Sequence, residues 1–373
     1  MESNSDKLLF VSMSDTVGGA ENILCMVAAE TGSPIIFLKH IKKSRLFVPG
    51  WLKVSYLTNG LMLIGFLKLI KALYHYRKDY TIISTHPYLN SYLGMLKRIG
   101  YIKSDLLVRE CTSVFTRYKG VKKWTYQIAY KLGYPAVNLI ICQTDIMKNQ
   151  LLEQNKFIPE YKVLTKGNPV NLNHILKKAE EPLNEKIVNS DFICSAGRLI
   201  TEKGFSILIN AFANIALQHS NLKLLILGEG TERRNLNNLI KDIGLEERVI
   251  LMGHIDNPIP YFKKAKLCVV SSVREGFPNV LLEMMAVSAS SVVSTLCAGG
   301  IEAIPDIIKV KANNVHALTE AINSVLCDNS KNNVIEDYFK DRTPKNYINS
   351  ILREANRLRP KCTDATLTVV DSY

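Results

Sequence analysis

The chain has 373 residues, 47% hydrophobic and 22% charged, an ordinary globular composition with material for two cores. Its formal net charge of +13 lies wholly in the first half: residues 1–180 hold 25 Lys and Arg against 12 Asp and Glu, and residues 181–373 hold 22 of each. The longest apolar stretch, 61–67, is broken by Lys68 and Lys71 and is too short to span a bilayer. The first residues are polar and do not read as a signal peptide. Eight cysteines without CxxC spacing read as buried free thiols of a reducing compartment, rather than as disulfides or a metal site.

In chain order, residues 7–14 predict a strand, 20–30 a helix after a glycine turn, and 34–39 a strand. A helix follows over 61–77, a strand over 81–85 and a helix near 89–99. Apolar runs at 106–110, 139–143 and 163–165 predict further strands, with Thr144 or Asp145 capping a helix after the second. A polar segment over 177–189, containing Pro182, reads as a linker. The pattern then restarts: strands at 192–196, 222–227, 249–252, 267–270 and 291–294, with helices at 205–218, 232–243, 317–326 and 347–358. Residues 360–373 read as a loose tail. Strands alternating with helices imply parallel sheets. The expected fold is therefore α/β, two Rossmann-like domains facing across a cleft, with C-terminal helices crossing back to the first. The ranges are 1–180, 190–340 and 341–373, the last a helix and tail. Ligands bind at the carboxyl ends of the strands in such sheets.

Glu275 and Glu283 lie eight positions apart, separated by Gly276-Phe277-Pro278-Asn279 and preceded by an apolar strand. Strand, loop and helix start place free backbone N–H groups at an anion site. Pro278 fits the first helical turn. Both carboxylates can face one pocket as acceptors for sugar hydroxyls; from spacing alone, a loop Glu and a helical Glu are usually just solvated. After strand 192–196, Gly197 allows a turn, and Arg198 and Lys203 arrive together at the strand end as a diphosphate clamp. Gly228 and Gly253 end later strands; a lone G-x-G reads as a simple turn. Gly18, Gly19 and Glu21 join the first strand to the first helix, where backbone can approach a phosphate. His86 and Arg109 end strands of the first sheet and so point toward the cleft.

These elements resemble the retaining glycosyltransferases of GT-B architecture that carry an E-x7-E signature, the glycosyl transferases group 1. The likeness spans about residues 7–326 and is closest to bacterial O-antigen and capsule enzymes. It implies that Glu275 contacts the transferred sugar, Glu283 the ribose, and the Phe277–Asn279 turn the donor. Arg198 and Lys203 would bind the donor diphosphate without a metal. Gly18-Gly19-Ala20-Glu21 would face donor phosphates and acceptor, and His86 the reacting sugar. Gly228 would sit near the nucleotide and Gly253 at the base, while Arg109 and Glu21 fall to the acceptor side. Asn168-Pro169-Val170 matches a hinge element. One departure is Ala286-Val287-Ser288-Ala289-Ser290-Ser291, where the family often has Cys-Gly-Thr-Pro. The resemblance implies no cofactor, a nucleotide-sugar donor (UDP favoured over GDP) and a lipid-linked glycan acceptor.

Two basic stretches bear on partners. Residues 61–78 form an apolar helix candidate with Lys68, Lys71, Arg77 and Lys78, and residues 117–134 interleave five cations with Tyr and Trp. Such patterns suit an anionic inner-membrane surface. The expected location is therefore cytoplasmic and peripheral on the inner face of the plasma membrane. A core helix is the plainer reading of 61–78. Two rivals stand beside the transferase: a nucleotide-sugar epimerase of like architecture, and a basic nucleic-acid-binding protein. The latter explains the charged half but leaves Arg198, Lys203 and the Glu pair without a task, so no nucleic-acid partner is expected.

Overall fold

A computed structural model describes residues 7–16, 18–42, 46, 48–112, 114–183, 190–288, 292–327 and 336–359. The first parallel sheet comprises β1 (Leu8–Ser14), β2 (Ile35–Lys39), β3 (Val54–Thr58), β4 (Thr81–Thr85), β5 (Leu106–Glu110), β6 (Leu139–Cys142) and β7 (Val163–Thr165). Its order is β3-β2-β1-β4-β5-β6-β7, so the winding direction reverses between β1 and β4. Helices α1 (Gly19–Thr31), α2 (Met62–Leu73), α3 (Pro87–Arg98), α4 (Val114–Arg117), α5 (Gly120–Gly133), α6 (Asp145–Gln154) and α7 (Leu172–Lys178) connect these strands and lead out of the sheet. The second sheet comprises β8 (Phe192–Ala196), β9 (Lys223–Leu227), β10 (Val249–Gly253), β11 (Leu267–Val270), β12 (Val292–Thr295) and β13 (Ile307–Val310), ordered β10-β9-β8-β11-β12-β13. Its helices are α8 (Phe205–Ala216), α9 (Arg233–Asp242), α10 (Ile259–Lys264), α11 (Asn279–Val287) and α12 (Val315–Cys327), followed by α13 (Glu336–Lys340) and α14 (Pro344–Leu358). This is the α/β pair of Rossmann-like units the strand–helix alternation predicts.

Three features depart from the sequence reading. Strands β3 and β13 were not expected; both are sheet edges with partly exposed residues, so neither carries an unbroken apolar run. Residues 170–179, inside the range given to the first domain, pack in the second domain's core through Val170, Ile175 and Ala179. Lys177 and Lys178 accordingly end a helix rather than begin a linker. The remainder of that linker (184–189), the departure at 289–291 and the 360–373 tail lie outside the described residues. Pro278 is the residue before α11 rather than its first helical residue.

Helix α14 does cross back. Tyr347, Ile348, Ile351 and Ala355 recur at helical spacing and join Leu8, Phe10, Ile23, Val27 and Ile83 in one buried cluster of the first unit. On the opposite face α2, α3, α5 and α6 share a second cluster. Helices α3 and α5 touch backbone to backbone there. A Cβ at Gly133 would lie 2.5 Å from Ser91 Cα, and one at Gly94 would lie 2.6 Å from the Gly133 carbonyl carbon. Helix α2 buries only Gly65, Leu69 and Leu73. Its Leu61, Leu63 and Leu67 flank is 72%, 69% and 63% exposed, against the expectation for a plain core helix.

Candidate functional site

The two sheets present their carboxyl ends to a shared cavity of about 560 Å³. Gly18, Gly19, Arg198, Lys203, Gly228, Glu275, Phe277, Asn279 and Glu283 line it. The sequence reading did not single out Asn22, Ile23 and Met26 of α1, or Glu229 and Pro258, which line it too. The α1 trio sits one to two turns beyond Gly19, where helical spacing from that glycine was the available signal.

Two helix starts meet this cavity. Gly18 caps α1 and Pro278 precedes α11, and neither end has a side-chain cap. At α11 the first backbone N–H groups are therefore open to an anion, with the positive end of the dipole behind them, whereas at α1 the Glu21 carboxylate folds back over Gly18 and accepts from its own backbone N–H. Arg198 is exposed beside them. Lys203 arrives because Gly204 adopts φ 62°, a left-handed turn that starts α8 where a Cβ would overlap the Ser271 carbonyl oxygen. Lys203 Nζ lies 2.9 Å from Glu275 Oε1, with side chains 17% and 14% exposed. Ser272 Oγ also donates to that carboxylate oxygen. Glu275 is thus held by two donors, with its backbone N–H bonded to Cys297 O at 2.8 Å.

Glu283 sits on the cavity wall, half-buried, five residues into α11. Burial pushes its carboxyl up to about 7, opposed by the charge of Lys178. Near neutral pH the cavity thus holds a mixed population of acid and carboxylate. An acid with a raised folded-state value stabilises the fold fully below its ordinary value near 4.5, and that contribution is lost as pH rises toward 7. Hydroxyl donors from a ligand favour the ionised form. Binding of a ligand that donates a hydroxyl to Glu283 should therefore release protons near pH 6 and tighten several-fold between pH 6 and 8. Calorimetry in buffers of different ionisation enthalpy checks this, and Glu283→Gln should flatten the dependence.

The other predicted residues fall outside the cavity lining. Gly253 takes φ 76° and its carbonyl accepts from Gly228 N–H at 2.7 Å, tying together the ends of β9 and β10. Beside it Arg233 bridges Glu229 Oε1 at 2.7 Å and Leu251 O at 3.1 Å. Glu21 is half-buried in the first turn of α1, and burial raises its carboxyl. His86 adopts φ 89°, rare for a residue with a side chain, and its Nδ1 is buried with no partner. Burial lowers its imidazole, and the nearby Lys122 charge adds to this.

Arg109 requires a correction. Its position at the end of β5 suggested an acceptor ligand, but the guanidinium is buried, turned to the junction of the two units and the C-terminal helix. Nε donates to Tyr347 Oη at 2.8 Å and Nη2 to Asn168 Oδ1 at 3.0 Å. Neighbouring Glu110 is likewise internal, accepting from Tyr130 Oη at 2.6 Å and from Tyr134 Oη. Burial pushes its carboxyl up to about 7.

With this geometry in view, residues 177–342 match the family model for Glycosyl transferases group 1. The N-acetylgalactosamine-N,N'-diacetylbacillosaminyl-diphospho-undecaprenol 4-alpha-N-acetylgalactosaminyltransferase of Campylobacter jejuni is 30% identical over 290 residues, 75% of this chain and 78% of that protein. The capsular polysaccharide biosynthesis glycosyltransferase CapM of Staphylococcus aureus is 25% identical over 306 residues, 77% and 78% of the two chains. Among solved structures, Anabaena Alr3699/HepE in complex with UDP and glucose superposes with a TM-score of 0.79 at 18% identity, covering 94% of this chain and 99% of that one.

Proposed function

The chain belongs to the glycosyl transferases group 1 and is a glycosyltransferase; on that premise we propose that it moves a sugar, with retention at the anomeric carbon, from a nucleotide-diphosphate sugar to a polyprenyl-diphosphate-linked oligosaccharide of a surface polysaccharide. The observation that carries this reading is the cavity itself. Lys203, Arg198 and the uncapped start of α11 offer positive charge and backbone N–H groups in the same cavity where Glu275, bonded to Lys203, and Glu283 offer hydroxyl acceptors. Such a cavity complements a sugar joined to a diphosphate. The departing nucleotide diphosphate gains charge as the glycosidic bond breaks, and fixed cations and N–H groups stabilise that charge without a metal. Glu275, steadied by Lys203 and Ser272, is placed to accept from sugar hydroxyls. In this reading Glu283 accepts from ribose and His86 belongs to the acceptor side. UDP is the favoured nucleotide, supported by the UDP held in a structural neighbour.

The lipid-linked acceptor is supported by the name of the Campylobacter relative. An anionic membrane surface fits the outer face of the first unit. Ile99 of the α3 end and Val121 and Trp124 of α5 are 76%, 77% and 60% exposed, on helices that cover the same side of the sheet as α2. Lys68 and Lys71 belong to α2, and Lys119, Lys122 and Lys123 to the start of α5. Each lysine near an anionic leaflet contributes about 1 kcal/mol, so the set would dock the protein peripherally. No helix among the described residues is long and apolar enough to cross a membrane.

The donor reading is tested by screening UDP- and GDP-sugars for thermal stabilisation, then following the anomeric configuration of the product by NMR. No stabilisation by any of them, or an inverted product, would refute it. The surface reading predicts flotation with anionic vesicles, falling at least tenfold in Leu63→Asp/Leu67→Asp. Equal flotation with neutral vesicles would remove it.

A further inference from the structure

The donor-side turn touches the first unit and the connector at three points. A Cβ at Gly276 would lie 2.5 Å from Cys111 O, so this glycine packs directly on the end of β5. Asn168 Nδ2 donates to Asn279 Oδ1 at 2.6 Å, and Asn279 Nδ2 donates to Gly19 O at 3.4 Å. Nothing larger than hydrogen fits at Gly19 without displacing Asn279, since a Cβ would lie 2.7 Å from its Nδ2.

These amides have a fixed direction. A guanidinium has donors only, so Arg109 turns the oxygen of Asn168 toward itself. The NH₂ of Asn168 must then face Asn279, whose oxygen accepts, leaving the NH₂ of Asn279 for the Gly19 carbonyl. An isolated carboxamide can be flipped; here one buried charge sets two in series. Arg109 is itself held by Tyr347 of α14. The connector carrying Asn168 is clasped from the same side, by Val170 N–H to Arg342 O at 2.7 Å.

We propose that Asn168 and Asn279 form a closure latch, two positioning residues that hold the Glu275 turn in register with the start of α1 across the cleft. Asn168 lies outside the cavity lining, and Asn279 lines the cavity with its carboxamide already engaged by Asn168 and Gly19. The latch acts by fixing where the donor's anomeric carbon meets the acceptor, which governs turnover more than nucleotide affinity. This rests on the donor-site reading above, and the test separates the two.

Asn168→Asp keeps an acceptor for Arg109 and removes the NH₂; Asn279→Ala removes the partner at a partly exposed position that folding tolerates. Each is expected to lower kcat at least tenfold, and Asn168→Asp, outside the cavity lining, should leave the Kd for UDP or GDP, whichever binds the parent, changed less than about twofold. The double variant should be no worse than either single one. In ligand-free solution scattering, Asn279→Ala should show a larger radius of gyration than the parent, a readout that needs no donor. An unchanged kcat, an unchanged radius, or fully additive losses overturn the latch. A parent protein that transfers no sugar yet opens on Asn279→Ala would instead refute the transferase reading and leave the latch standing.

Discussion

Lys203→Ala is expected to fold and to transfer sugar about 100- to 1,000-fold more slowly, the loss typical of removing one fixed donor from developing charge. In the parent, Lys203 Nζ bonds the carboxylate of Glu275 and lines the same cavity as Arg198. Without it Glu275 keeps the bond from Ser272 Oγ. The stability loss should be about 1–3 kcal/mol, the cost of a partly satisfied polar group, because the pair opens onto a solvated cavity. The loss should fall mainly in kcat, since charge on the leaving diphosphate grows during bond cleavage. Lys203→Arg retains the charge and should recover part of the rate. Steady-state kinetics beside thermal melts decide the matter: full activity in Lys203→Ala removes the diphosphate role.

Gly133→Ala is expected to produce the largest stability loss among single-methyl additions in the first unit. Its added carbon would overlap the backbone of α3 at Ser91, and backbone cannot rotate aside as a side chain can. The cost is about 3 kcal/mol, which lowers Tm by roughly 6–12 °C for a unit of this size. Gly50→Ala is the matched control, because nothing lies within 4 Å of its Cβ position. Equal melting temperatures for the two variants would mean that α3 and α5 separate at little cost. A loss confined to Gly133→Ala should also weaken vesicle flotation on heating, since α5 carries Val121 and Trp124.

Much of this architecture is legible in the chain because its inner strands are covered on both faces. Residues 106–110, 192–196 and 267–270 are apolar runs whose bounds the structure reproduces. Strand β3 is not legible in the same way: Ser55 and Tyr56 face solvent at an edge, and only pairing with β2 makes it a strand. The cavity residues fared similarly. Gly18, Arg198, Lys203 and Glu275 each sit where a strand meets a helix, a local pattern, and with Glu283 they line one cavity. Arg109 sits at an equally suggestive strand end, yet its partner Tyr347 lies 238 residues away. No spacing rule distinguishes a strand-end arginine that meets substrate from one that meets a returning helix. The Asn168–Asn279 contact, 111 residues apart, is hidden for the same reason.

The return of α14 also sets an order of events during synthesis. Tyr347, Ile348, Ile351 and Ala355 complete the core of the first unit, but the ribosome makes them after the whole second unit. While translation proceeds, the surface over α1 and β1 remains an uncovered apolar groove, and Arg109 lacks its phenolic partner. The nascent first unit is therefore expected to await its own distant end for a complete core, with its greatest exposure to aggregation during that wait.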